Sequence, residues 1–138
     1  MPIVRAMPRH IILISEQPVD IGNTVLPQNT RLAYGAHLGS YIANELRACA
    51  TTAPGLFFLT NAERCPIAAL TELRDMWEKL EPQPGMIWTL HANTDTALLR
   101  EALVRRRSSA RVHLLDGSQN TEAISEIIQS AYAHGGAN

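Results

Sequence analysis

The sequence predicts an α/β fold: a three-layer sandwich with a short, mainly parallel, four-stranded sheet and helices on both faces. Three observations lead there. Four short apolar runs punctuate the chain. Segments of helical period lie between and after them. Strictly alternating strand and helix patterns imply right-handed crossovers and hence parallel pairing.

The first run is His10-Ile11-Ile12-Leu13-Ile14-Ser15. It is almost continuously apolar, as a strand covered on both faces must be. The second, Gly55 to Thr60, has the same character, with Leu56, Phe57, Phe58 and Leu59 in succession. The third is Met86 to His91 and the fourth Arg111 to Leu115. The fourth alternates in part, which suits a strand nearer an edge.

The helical segments follow. Asn29 or Thr30 can cap a first helix reaching about Thr51, with Leu32, Ala36, Gly39, Ala43, Leu46 and Ala50 at intervals of three or four. Pro66 suits the opening of a second, because proline lacks only an N–H that the first turn leaves unpaired anyway. Its stripe is Ile67, Leu70, Leu73, Trp77 and Leu80, and Pro82 and Pro84 end it. A third runs from about Thr94 to Arg107, with Leu98, Leu99, Ala102 and Leu103 inward. A fourth spans about Asn120 to His134 with Ile124, Ile127, Ile128, Ala131 and Tyr132 on one side, stopped by Gly135-Gly136. Between Glu16 and Asn29 no period is clear. Pro18, Gly22 and Pro27 break the segment, and a fifth strand at Thr24 to Leu26 would fit within 17–29.

Size and composition agree with this outline. The 138 residues suit one domain over 1–138, with 1–9 flexible and 135–138 a tail. Hydrophobic residues make up 46% and the net charge is −1, which argues against a disordered chain and against a global basic field for nucleic acid. No run approaches the ~18 apolar residues of a membrane span, and Ile11 to Ile14 is too short for a signal-peptide core. A cytoplasmic location is therefore expected. Cys49 and Cys65 lack any Cys-x-x-Cys spacing and read as free thiols.

A site in such a sheet belongs outside the carboxyl ends of the strands, where connections diverge. That rule selects Ser15 and Glu16 from the first strand, Asn61 from the second, His91 and Asn93 from the third, and Asp116 and Ser118 from the fourth. Glu16, His91 and Asp116 are the catalytic candidates, since carboxylates and an imidazole can exchange protons near neutrality. Ser15, Asn61, Asn93 and Ser118 are the ligand-binding candidates. The same residue types also serve as ordinary helix caps and turn formers.

No phosphate-binding loop, Gly-x-Gly-x-x-Gly fingerprint or Gly-x-Ser-x-Gly elbow occurs. Thr89-Leu90-His91-Ala92-Asn93 echoes the histidine box of secretion-type hexameric ATPases, but those enzymes pair it with a phosphate-binding loop that is absent here. The strand-helix order is similar to that of RecA-like domains lacking that loop, a likeness of topology that covers no diagnostic residue. No metal-ligand spacing is present, so neither metal nor cofactor is expected.

Two surface features complete the inventory. Gly35, Gly39 and Ala43 form a small-residue face suited to close packing against another subunit. Arg105, Arg106 and Arg107, with Arg100 and Arg111, form the one basic cluster and the candidate nucleic-acid contact. Two Phe, two Trp and three Tyr leave few rings to spare for base stacking.

The expected function is a non-catalytic protein-interaction or regulatory module acting in a homo-oligomer or larger complex, because a sheet this narrow leaves edges and helix faces open. A domain binding a small anionic or phosphate ligand, or a small enzyme, at the strand ends is the alternative. Nucleic-acid binding through the arginine cluster is third.

Overall fold

The structure is a computed structural model that describes residues 10–16, 26, 29–50, 55–81, 83–93, 95–104, 111–115 and 124–129. Its elements are β1 (His10–Ser15), β2 (Thr30–Tyr34), α1 (Gly39–Cys49), β3 (Leu56–Thr60), a single 3₁₀ turn (Ala62–Arg64), α2 (Ile67–Lys79), β4 (Gly85–His91), α3 (Thr96–Val104) and β5 (Arg111–Leu115). Residues 124–129 are helical. The strands form one sheet in the order β2-β3-β4-β1-β5, and every pair is parallel.

That order explains the layers. From β2 the chain steps to β3, to β4, and over β1 to β5, always in the same direction. Right-handed crossovers in one direction put their helices on one face. The larger core cluster shows this, joining Ile42 and Leu46 of α1, Leu70, Leu73 and Trp77 of α2, and Leu99 and Leu103 of α3 to Ile12, Ile14, Phe57, Leu59 and Trp88 of the sheet. The opposite face carries Ile11, Leu13, Leu56, Phe58 and Ile87, covered by Ile124 and Ile128 with Leu26 and Ile127 beside them. Helices therefore lie on both faces, as the sequence predicts.

Side chains of β1, β3 and β4 are buried almost throughout. Each large apolar side chain so removed from water contributes about 1.5–3 kcal/mol before its entropy cost. β5 pairs only with β1 and forms an edge, as its partial alternation suggests.

The first helical segment needs correction. Thr30–Tyr34, read from the sequence as the opening turns of that helix, is instead the fifth strand, and α1 begins only at Gly39. The spacing of Leu32, Ala36 and Gly39 imitates a helical stripe by coincidence. Asn29 breaks any helix there with φ 64°, a left-handed conformation that asparagine tolerates better than most residues. Its carbonyl then accepts the Leu56 amide at 3.3 Å and extends the β2–β3 ladder. Of the strand proposed at Thr24 to Leu26, Thr24 lies outside the described residues and Leu26 is not in a strand.

The two glycines of the small-residue face have opposite roles. A Cβ on Gly35 would overlap the carbonyl oxygen of Asn61, so only glycine lets the end of β2 approach the turn after β3. A Cβ on Gly39 would meet nothing within 4 Å. Gly35→Ala is accordingly expected to destabilise the chain by about 1–3 kcal/mol through overpacking. Gly39→Ala is expected to leave stability unchanged or raise it by up to about 1 kcal/mol through helix propensity. Urea unfolding midpoints of the two variants, at constant slope, check the contrast.

Candidate functional site

β1 and β4 lie side by side with Ser15 opposite His91. After β4 the chain crosses the three-helix face to β5. After β1 it must reach the far edge, and Leu26, shortly before β2, packs on the other face. Connections thus diverge above this pair, which makes it the switch point of the sheet.

The structure brings Ser15 and Glu16 together with His91 and Asn93 there. Ser15 is buried and its carbonyl accepts the Ala92 amide at 2.9 Å. Glu16, His91 and Asn93 are exposed. The His91 ring is engaged locally, because its Nδ1 accepts the Asn93 amide at 3.1 Å. Asn61 takes up φ 52° and opens the 3₁₀ turn, its carbonyl accepting the Arg64 amide at 3.0 Å. Its own amide donates to Thr89 Oγ1 at 2.9 Å, fixing the end of β3 to β4. Asp95 caps α3 by accepting the Ala97 amide at 3.2 Å. Asp116 and Ser118 lie outside the described residues, as do Arg105, Arg106 and Arg107; Arg100 is exposed on α3.

One participant escaped sequence reasoning. Glu63, on the 3₁₀ turn, accepts the His91 amide through Oε1 at 3.2 Å. An anion seated above β4 would want that N–H, and Glu63 holds it with a negative charge. Glu16 also stands at this end and is exposed. No cluster of metal-ligating side chains occurs among the described residues.

A second feature lies nearby, over the ends of β2 and β3. An open groove of about 270 Å³ lies between α1 and α2. Gly39 and Ala43 form one wall, and Pro66, Ala69, Leu73 and Met76 the other. Gly35 lies in its lining, so all three residues of the predicted packing face are here. Leu38, adjoining Gly39, is 78% exposed; Tyr41 and Ile67 are exposed as well.

The polar end of the groove follows from how the helices start. Neither Leu38 before α1 nor Pro66 before α2 supplies a side-chain cap, and neither first turn holds an acidic residue. Two helix N-termini that lack side-chain caps therefore point their first-turn N–H groups toward this end of the molecule. Arg64 and His37 line the groove there, and Glu72 lines it along α2. His37 Nδ1 accepts the Tyr34 amide at 3.1 Å, and its ring meets Tyr41 edge-on at 4.6 Å.

The cysteines are free, as expected. Burial pushes the Cys49 thiol up to about 12, and its Sγ donates to the Leu56 carbonyl at 3.4 Å. Burial, with Glu63 nearby, also raises Cys65, whose Sγ donates to the Gly35 carbonyl at 3.2 Å. Thiolates do the reacting, so alkylation of the native chain at pH 8 is expected to be slow at Cys65 and absent at Cys49. Denaturant should release both. Peptide mass mapping distinguishes them, and Cys65 reacting as fast as in the unfolded chain would contradict the described packing.

No protein-family model matches the chain, and no curated protein matches it at a significant level.

Proposed function

We propose that this chain is a non-catalytic protein-binding α/β module that works within a complex and presents the α1–α2 groove to its partner. One observation carries the reading. Of the five large apolar side chains that are exposed among the described residues, Leu38, Tyr41 and Ile67 directly adjoin in sequence the groove-lining residues Gly39, Ile42 and Pro66. A groove wall of small residues with exposed apolar side chains nearby is how a surface accepts an apolar anchor from another protein. The open space above Gly39 gives that anchor room.

The chemistry of the groove narrows the partner segment. Its walls suit one or two bulky apolar side chains. The amides at the starts of α1 and α2, together with Arg64, favour a carboxylate at the same end. An apolar segment flanked by Asp or Glu fits best. The small-ligand alternative draws less support, because Glu63 and Asn93 already engage the backbone amide and Nδ1 of His91.

Selection of displayed peptides on the immobilised chain tests this reading, with sedimentation at several concentrations run alongside. Apolar–acidic sequences should be enriched. Gly39→Trp, whose Cβ meets nothing within 4 Å, should weaken their binding by about tenfold or more, the ~1.4 kcal/mol expected from one lost anchor. Arg64→Glu should weaken acidic peptides selectively. The proposal is refuted by a chain that is monomeric at every concentration and enriches no sequence. It is equally refuted if the Gly39→Trp variant binds the selected peptides as well as the unsubstituted chain does.

A further inference from the structure

At the opposite end of the three-helix face, α2 is fastened to the sheet by a polar contact inside the core. Arg74 is fully buried. Its Nη1 lies 2.6 Å from Nδ1 of His10, the first residue of β1, which is itself buried. A guanidinium can only donate, so Nδ1 must accept and the imidazole must be neutral, with its proton on Nε2. Arg74 Nε also donates to Glu78 Oε1 at 3.2 Å, and the guanidinium sits 4.7 Å from the Trp77 ring centroid. The His10 ring meets Trp88 of β4 at 4.1 Å.

We propose that His10 and Arg74 form an acid-released latch: protonating His10 frees α2 from the sheet while the rest of the chain stays folded. Protonation turns the acceptor into a second donor and sets two cations against each other where no water screens them. Relief requires the guanidinium to leave, and α2 carries it. Leu73 and Met76 of the same helix wall the groove, so the latch also governs that opening.

Among the described residues, the charged side chains in contact within this cluster are Arg74 and Glu78, both from α2, and β5 sets Arg111 opposite Ile11 of β1. Glu78 is already committed to the guanidinium. β4 contributes Met86 and Trp88 to the cluster and α3 contributes Leu99 and Leu103, none of which titrates. Burial first, and Arg74 second, hold His10 well below its usual 6.5. A folded value below the unfolded one means that stability is fully present above 6.5 and is lost as the pH falls below it.

Amide exchange followed residue by residue tests the latch. Corrected for intrinsic rates, protection of α2 amides from residue 70 to 79 should fall by up to about tenfold per pH unit below 6.5, the dependence of an opening that takes up one proton. Protection of α1 amides from residue 42 to 49 should fall less. In His10→Asn, whose amide oxygen still accepts from Arg74 but does not titrate, this pH dependence of α2 should vanish. His10→Gln serves where Asn does not fold, and should neither fold, the wild-type comparison decides. Joint loss of α1 and α2 protection overturns the proposal, as does an unchanged pH dependence of α2 in the substituted chain.

Discussion

Everything in this fold depends on β1 being inserted between β4 and β5. It is the first strand in sequence, yet both its partners come from the second half of the chain. Without it β5 has no neighbour and the sheet stops at β4. The insertion requires β1 to be apolar on both faces, which accounts for Ile11 to Ile14 without a polar interruption. It also forces the chain to the far edge before β2, and so creates the switch point above β1 and β4. Contacts this distant in sequence carry their loop-closure cost before they return any stabilisation, which favours slow folding.

The two halves of the sheet's upper rim have been put to different uses. Above β1 and β4 polar groups satisfy one another: Glu63 with the His91 amide, Thr89 with Asn61, His91 with Asn93. A crevice that closes on itself in this way is a well-tied junction between strands and turns. Above β2 and β3 the reverse holds. The helices start without side-chain caps, small residues line the gap between them, and apolar side chains remain in water. Groups that a partner can complete gather at that place.

Sequence patterns revealed the four strands now called β1, β3, β4 and β5, together with α2 and α3, because burial on both faces or on one stripe leaves a strong periodic trace. β2 left none. It is an edge strand with Leu32 exposed and only Ala33 buried, so neither alternation nor a continuous apolar run marks it. The strand-end rule selected Ser15 and His91, which parallel register places side by side. It overlooked Glu63, whose place depends on the left-handed turn at Asn61. Arg74 was overlooked for another reason. Its spacing from Leu70 and Trp77 puts it on the buried stripe, but a charged residue reads as solvent-facing until its acceptor, far away on β1, is known.

The positions of Trp77 and Trp88 have a practical consequence. They are the only tryptophans in the chain, and both belong to the cluster beneath the three helices. The Trp77 indole donates to the Pro84 carbonyl at 2.6 Å, and both rings are shielded from solvent. Intrinsic tryptophan emission therefore reports on one side of the sheet, and the layer containing Leu13, Phe58 and Ile128 is optically silent. A tryptophan placed in that second layer would give it a signal of its own, so that loosening of the two layers could be timed separately.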